Sequence, residues 1–129
     1  MRGYLDGVSQ IYATSQVLEG LPDHIRDAEL NGVRFAGMPW LLQPDHPAVM
    51  VYARSPAATP VATDFERLYA FGIDAYRIAA DFVRAGEIAT NALDGVTGRI
   101  TLGRDRHFTR ELTPAQFVNG RAVALATRP

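Results

Sequence analysis

Residues 63–86 read TDFERLYAFGIDAYRIAADFVRAG and carry the strongest structural pattern in the chain. Apolar or small residues recur three and four positions apart, which is the period of one face of an α-helix: Leu68, Phe71, Gly72, Ala75, Tyr76, Ala79, Phe82 and Val83. Thr63 followed by Glu66 predicts a capping box at the start, and Gly86 predicts a left-handed residue at the end. We therefore expect a helix over residues 63–85. A second stripe with Tyr69 and Ile73 predicts that the helix is covered on more than one side.

Two short strands are predicted upstream of this helix. Alternation of apolar and polar residues favours a strand from Gln10 to Ser15 and another from Val33 to Phe35. Between them, Asp23 is placed to cap one or two helical turns. After the second strand, Pro47 is expected at the first position of a short helix over Ala48 to Arg54. Asp45 or His46 is expected near the cap of that helix.

Downstream of the helix, the period changes from 3.6 to 2. Ile100–Leu102 and Phe108–Leu112 predict a hairpin around a turn at residues 103–106. Asn119-Gly120 predicts a second tight turn, followed by a last strand that contains Val123 and Leu125. Thr113-Pro114 predicts a bend or an edge position in the strand before that turn. Strands, a long central helix and a C-terminal antiparallel hairpin region indicate an α/β or α+β fold.

Length, composition and charge exclude or disfavour several classes of function. At 129 residues and 47% hydrophobic content, the chain has the size of one domain, 1–129. A formal charge of −1 provides no global basic field, so a nucleic-acid partner is disfavoured. The absence of cysteine excludes disulfides and thiolate chemistry. The first ten residues, MRGYLDGVSQ, lack the apolar core of a signal peptide.

No catalytic or metal-binding motif is evident. Each histidine has a nearby aspartate, in Asp23-His24, Asp45-His46 and Asp105-x-His107. All three pairs fall in expected turns, so we interpret them as caps and turn contacts rather than as ligands or acid–base pairs. The residues 95–98, Gly-Val-Thr-Gly, are interpreted as a turn, because a phosphate-binding loop of the Walker type needs a lysine that this chain lacks. We expect no catalytic residue, metal or cofactor.

Two residues have both a structural and a functional interpretation. Trp40 follows the strand that ends near Gly37, where it closes the core or lines a cleft; core packing is favoured. Asp74 lies on the long helix with Arg77 three residues on. An ion pair at the helix surface is favoured over a hydrogen bond between two lobes of the molecule.

Four segments in this order resemble the C-terminal part of the LppC-type lipoproteins, the penicillin-binding protein activators: IYATS, LNGVRFAGMPWLL, RLYAFGIDAYRIA and LDGVTGRITLGRDRHFTRELTPAQFVNGRAV. A weaker similarity reaches the type I periplasmic-binding proteins of the leucine-binding kind. The resemblance implies an α/β, partial type I periplasmic-binding-protein-like fold. It also implies a regulator without chemistry of its own, which docks on a bifunctional penicillin-binding protein and stimulates peptidoglycan cross-linking.

The resemblance further implies a periplasmic location with an outer-membrane lipid anchor. The sequence departs from that pattern, because it has no signal peptide, lipidated cysteine, N-terminal helical-repeat domain or first half of the binding domain. We therefore expect either a fragment of a larger two-lobed protein or a reduced homologue. The alternative function is binding of an amino acid or cell-wall fragment, with Ser15, Trp40 and Asp74 as candidate ligand-binding residues.

The fragment interpretation predicts self-association. A chain that holds pieces of both lobes would leave strand edges unpaired and the apolar helix from Leu68 to Val83 partly uncovered. We therefore expect a homodimer or larger assembly, with the helix from Thr63 to Ala85 at the contact.

Overall fold

Two small antiparallel sheets and one long helix form the structure, a computed structural model that describes residues 9–54, 62–86 and 92–126. The helices are α1 (His24–Asp27), α2 (Pro39–Leu42), α3 (Pro47–Met50) and α4 (Thr63–Ala85). The strands are β1 (Arg34–Gly37), β2 (Leu93–Gly95), β3 (Gly98–Leu102), β4 (Phe108–Glu111), β5 (Thr113–Val118) and β6 (Arg121–Ala124). The sheet orders are β1-β5-β6 and β2-β3-β4. The central helix and the C-terminal hairpin region are confirmed.

Both predicted C-terminal turns form hairpins. Strands β3 and β4 pair antiparallel across the turn near residues 103–106. Strands β5 and β6 pair around Asn119 and Gly120, whose φ angles of 51° and 77° are those of a two-residue hairpin turn. Pro114 lies near the start of β5, at the point where the chain passes from one sheet to the other. The predicted bend is confirmed, but β5 is the central strand of its sheet rather than an edge strand.

The predicted strand from Gln10 to Ser15 is wrong. Only Tyr12 forms a bridge, a parallel one with Arg34, and residues Ser15–Val17 form a 3₁₀ turn. The carbonyl groups of Ser15 and Leu18 accept hydrogen bonds from the guanidinium of Arg67 on α4. The amides of Val17 and Leu18 donate to the carbonyls of Thr14 and Ser15, so the chain turns at this point instead of continuing beside β1.

The short helices follow their predicted caps. The Asp23 carboxylate accepts from the amides of Ile25 and Arg26 at the start of α1. His46 Nδ1 accepts from the amide of Ala48, so α3 begins at Pro47 as expected, although it ends at Met50 rather than Arg54. An unpredicted third helix, α2, follows β1 with Pro39 at its first position.

The core consists of two adjoining clusters. One lies in the β1-β5-β6 sheet and contains Val33, Phe35, Leu42, Ala115 and Phe117. The other lies under α4 and contains Met38, Trp40, Val49, Ala70 and Val96. Leu41 packs against both clusters. Helix α2 therefore joins the sheet to the long helix.

Helix α4 has the predicted bounds but an unexpected orientation. Gly86 ends it with φ 73°, as predicted. The capping box is wrong, because the N-cap is Ala62 and the Thr63 hydroxyl donates to the carbonyl of Gly20. The buried residues of α4 are Arg67, Ala70 and Asp74, whereas most of its large apolar side chains are exposed. The expected cover on more than one side is therefore absent from the described structure. In these residues, no helix has both the length and the apolar character that a bilayer span requires.

Candidate functional site

Trp40 is the centre of the contact between α2 and α4. Its side chain is 1% exposed, so the favoured core position is confirmed. The indole Nε1 donates to Glu66 Oε2 at 2.5 Å, and the backbone amide donates to the carbonyl of Val96 at 2.9 Å. The guanidinium of Arg54 lies over the ring at 4.3 Å and donates to the Trp40 carbonyl. Glu66 thus supplies the partner that a buried indole N–H requires, and this partnership replaces the expected capping box.

Arg67 fixes the first half of α4. Its Nη2 donates to the carbonyls of Ser15 and Leu18, both at 2.6 Å, and its Nη1 donates to Asp64 Oδ1 at 2.8 Å. The side chain is only 10% exposed. Five donors in a planar fork make arginine suited to bridging two carbonyls and a carboxylate at once. The helix is therefore tied by polar contacts to a segment about fifty residues earlier in the chain.

Asp74 fixes the middle of α4 to the β2–β3 turn. Its Oδ1 accepts from the Val96 amide at 3.0 Å, and its Oδ2 accepts from the amide and hydroxyl of Thr97 at 2.8 and 2.7 Å. The side chain is 2% exposed. The expected partner Arg77 is present at 3.4 Å, but the prediction of a surface ion pair is wrong. A buried carboxylate needs such a set of donors to offset its lost hydration, and the turn supplies them.

The β2–β3 turn is shaped to receive this carboxylate. A Cβ at Gly95 would lie 2.5 Å from Asp74 Oδ2 and 2.7 Å from the carbonyl oxygen of Gly98. Only glycine allows the backbone to approach so closely. Gly98 has a φ of 135°, which closes the two-residue turn. The predicted turn at residues 95–98 is confirmed, and its glycines serve the Asp74 contact.

A cleft opens beside the end of β1 and the inner face of α4. Its volume is about 170 Å³. Its lining includes Ser15, Gly37, Met38, Arg67, Phe71, Thr97, Arg110 and Leu112. The Arg110 guanidinium lies 4.8 Å from the centre of the Phe71 ring. The lining therefore combines apolar walls with two cations, one of them already paired with Asp64.

The structure separates the three candidate ligand-binding residues. Ser15 lines this cleft, whereas Trp40 and Asp74 are buried in the α2–α4 and α4–turn contacts and are not among its lining residues. Sequence reasoning missed Arg67 and Thr97. Arg67 shares a helical face with Asp74, seven residues on, and this shared position is the signal that could have identified it.

The histidine–aspartate pairs lie at separate places. The amides of Arg26 and Ile25 hold the pKa of Asp23 below its usual value. The His107 amide, and then its side chain, lower the pKa of Asp105. His46 caps α3, and its Nε2 lies 3.6 Å from Asp94 Oδ1. Across the three described ranges, no cluster of three or more metal-ligating side chains occurs. The pairs thus make local cap, turn and surface contacts.

Comparison with known families gives a match over most of the sequence. The family model "LppC putative lipoprotein" matches residues 2–120. The chain belongs to the LppC lipoprotein family. The penicillin-binding protein activator LpoA of Yersinia pseudotuberculosis is 35% identical over 100 residues, which are 76% of this chain and 14% of that protein.

Solved structures confirm the fold of this LppC-family chain. The LpoA C-domain of Haemophilus influenzae, described as a regulator of PBP1A, aligns with a TM-score of 0.70 and 26% identity. A Chromobacterium violaceum protein, described as a "putative branched-chain amino acid ABC transporter", aligns with a TM-score of 0.72 and 45% identity. The chain is covered to 98% and 90% in these alignments, but it spans only 40% and 37% of the two structures. The predicted type I periplasmic-binding-protein-like fold is thus confirmed.

Proposed function

We propose that this chain is a non-catalytic regulator of peptidoglycan synthesis that acts by direct contact with a bifunctional penicillin-binding protein. The observation that carries the proposal is the alignment of 98% of the chain with the LpoA C-domain, a regulator of PBP1A. The curated relatives are likewise named penicillin-binding protein activators.

The polar chemistry of the site supports a binding role rather than a catalytic one. The two buried charged side chains of α4, Arg67 and Asp74, direct their hydrogen bonds to backbone groups of this chain and to the side chains of Asp64, Arg77 and Thr97. A catalytic acid, base or nucleophile needs to face a substrate. These groups instead hold helix, connector and turn in one arrangement, as a scaffold for a binding surface requires.

A reconstituted cross-linking assay tests the proposal. A bifunctional penicillin-binding protein from the same organism is supplied with lipid-linked peptidoglycan precursor, and cross-linked products are measured with and without the chain. We expect the chain to bind the synthase in a pull-down and to raise the cross-linking rate. Asp81→Ala, a surface change on α4, should retain this effect. A chain that processes muropeptides by itself, or that neither binds nor stimulates the synthase, would contradict the proposal.

The same proposal places the chain in the periplasm, as part of a protein anchored to the outer membrane by a lipid. The lipoprotein description of the family supports this location. It also treats the chain as the counterpart of the C-terminal part of a two-lobed domain, which its partial coverage of both neighbouring structures supports. Fractionation of cells that express the full-length gene product tests the location.

A second candidate function is binding of a small molecule with a carboxylate, such as an amino acid or wall fragment. The cleft beside Ser15 favours it, because Arg110 gives that cleft positive charge and Phe71 gives it an apolar wall. In this proposal Ser15 contacts the ligand directly, while Trp40 and Asp74 hold the cleft walls. A thermal-shift screen of amino acids and muropeptides tests it, with Arg110→Ala as the matched variant that should lose any shift.

A further inference from the structure

Apart from residues 38–42, each of the two core clusters takes its residues from one part of the chain. The cluster in the β1-β5-β6 sheet uses residues 9–37 and 113–126, which we call the sheet unit. The cluster under α4 uses residues 43–54, 62–86 and 92–111, which we call the helix unit. Residues 38–42, which include α2, contribute to both clusters. The described chain therefore consists of two packed units that meet at α2.

The chain passes between the two units at two neighbouring points. It leaves the sheet unit after Gly37 and returns to it at Thr113, by way of Leu112. Gly37 and Thr113 are partners in the register of β1 and β5, so the two crossings lie side by side. Hinges between packed units consist of a few residues at the ends of such elements. The crossings thus have the arrangement of a hinge.

Hydrogen bonds from the start of α4 connect the units a second time. Arg67 Nη2 donates to the carbonyls of Ser15 and Leu18, both at 2.6 Å. The amide and hydroxyl of Thr63 donate to the carbonyl of Gly20 at 3.0 and 2.8 Å. All three acceptors belong to residues 15–20, which we call the strap. The strap therefore ties the sheet unit to the long helix of the helix unit.

The cleft of about 170 Å³ lies between the two units. Its lining includes residues of the strap, Arg67 of α4, and Gly37 and Leu112 from the crossings. Within the described ranges, one further hydrogen bond joins the two units directly, from Thr113 Oγ1 to Gln43 Oε1, and it lies beside a crossing. The closure of the cleft therefore depends on the bonds between α4 and the strap.

Arg67 supplies the strongest of these bonds. Its side chain is 10% exposed, and bonds from a charged donor are about twice as strong as neutral ones. Arg67 lies on the buried side of α4, so a neighbouring part of a larger domain that covers the apolar side of the helix does not replace these bonds. Hydrogen bonds depend steeply on distance and angle, whereas the apolar packing around α2 depends little on direction. A rotation about the crossings therefore breaks the strap bonds first.

We infer that Arg67 is a latch between the two units. Its bonds to the strap hold the cleft closed through groups of the chain itself, and their release lets the units rotate apart about residues 37–38 and 112–113. This conformational device goes beyond the proposed function and does not depend on it.

Electron paramagnetic resonance between two nitroxide labels tests the latch. The sequence contains no cysteine, so labelled cysteines are introduced at exposed positions. Glu29→Cys with Tyr76→Cys measures the distance between the units, and Tyr76→Cys with Arg104→Cys measures a distance within the helix unit. Dilution with unlabelled chain restricts the measured distances to single molecules.

Arg67→Met removes the donors of the latch and keeps a long unbranched side chain. Because loss of a hydrogen bond to a charged group shifts an equilibrium about tenfold or more, the ratio of open to closed molecules rises by at least that factor. The 29–76 distribution gains a population at longer distance, and the 76–104 distribution stays the same. Asp64→Ala is the matched control. It removes the exposed carboxylate partner of Arg67, leaves the strap bonds in place and keeps the parent distribution.

Hydrogen exchange separates opening from unfolding. The amide of Phe117 donates within the sheet unit and stays protected in Arg67→Met. The amide of Thr63 has no partner within its own helix, because it is the first helical residue. It donates to the strap and exchanges faster in the variant. Arg67→Lys, which keeps the charge but loses the planar fork, is the second variant and shows a smaller change in the same direction.

Two results overturn the inference in the chain itself. One is a 29–76 distribution that neither Arg67 variant changes. The other is loss of protection at Phe117 together with Thr63 in both variants, which shows that Arg67 stabilises the fold and is not a latch.

The same exchange measurement on the full-length gene product tests the latch beside the remainder of the domain. Faster exchange at Thr63 with unchanged protection at Phe117 supports the inference in Arg67→Met. Unchanged exchange at Thr63 shows that the remainder of the domain holds the cleft, and it overturns the role of Arg67. None of these measurements contains a penicillin-binding protein, so failure here is distinct from failure of the proposed function.

Discussion

Replacement of Asp74 by alanine tests whether polar anchors hold α4 in place. The substitution removes the acceptor of three hydrogen bonds and leaves the amides of Val96 and Thr97 without it. A hydrogen bond to a charged group contributes about 1.5–3 kcal/mol, and loss of one member of a buried ionic network costs about 3–5 kcal/mol. Because the three bonds share one carboxylate, their contributions do not add. We expect the free energy of unfolding to fall by about 3–5 kcal/mol, out of a total of about 5–15 kcal/mol.

The isosteric variant Asp74→Asn refines the same prediction. Either orientation of the amide places its NH₂ group against a donor N–H of the turn, while the remaining oxygen still accepts. The loss should therefore lie between that of Asp74→Ala and zero, at about 1.5–3 kcal/mol. The exposed pair of Asp81 with Arg84 on the same helix is the control, and Asp81→Ala should cost less than about 1 kcal/mol.

Urea unfolding followed by circular dichroism measures these losses, and an unchanged m-value shows that the same surface unfolds in each variant. Hydrogen exchange at Val96 and Thr97 should accelerate with the loss of stability. If Asp74→Ala costs no more than Asp81→Ala, the carboxylate does not anchor the helix and the reasoning is refuted.

Three further predictions concern residues near the contact of Asp74 with the β2–β3 turn and the stability of the chain at low pH. Trp40→Ala should lower the free energy of unfolding in urea by about 3–5 kcal/mol, because it empties a core position and removes the donor to Glu66. A variant that is equally stable but loses ligand binding would instead support the interpretation of Trp40 as a cleft residue. Gly95→Ala should cost about 1–3 kcal/mol, because the new methyl group meets the Asp74 carboxylate at 2.5 Å, and a neutral result would show that the turn shifts freely. The amides of α1 lower the pKa of Asp23 from its ordinary value of 3.8. Its carboxylate should therefore stabilise the folded chain above that pH, and the stabilisation should be lost as pH falls through the lower pKa of the folded state. NMR titration of the carboxyl group measures the direction of the shift, and acid unfolding of Asp23→Ala measures the lost stabilisation.

Helices, caps and turns that depend on a few neighbouring residues could be predicted from the sequence. The period of the apolar residues and Gly86 fix the extent of α4, and Asn119-Gly120 fixes the last hairpin, because helix periodicity and turn chemistry act over a few residues. The caps at Asp23 and His46 belong to the same class. These features require no knowledge of the remainder of the chain.

The choice of the buried face of α4 could not be predicted in the same way, because it depends on partners far away in the sequence. Apolar periodicity normally marks the buried face of a helix, but here the donors of the β2–β3 turn and the carbonyls near Ser15 select the face with Asp74 and Arg67. The partners of these two residues lie 23 and 52 positions away. In place of the expected strand from Gln10 to Ser15, the chain forms a single bridge at Tyr12 and a 3₁₀ turn, and the Ser15 carbonyl accepts from Arg67. The periodicity identified the apolar stripe of α4 correctly, but in the described structure this stripe lies on the exposed side of the helix and not on the buried side.

The polar docking of α4 has a consequence for the exposed apolar side chains of this helix. Apolar packing depends little on direction, so a helix docked only through leucine and valine side chains can rotate or slide at modest cost. Hydrogen bonds demand both distance and angle. Arg67 engages the connector and Asp74 engages the turn, at points two helical turns apart. These two anchors fix the rotation of α4 as well as its position. The apolar stripe is therefore presented in one orientation, which a specific protein contact requires and a loosely packed helix could not provide.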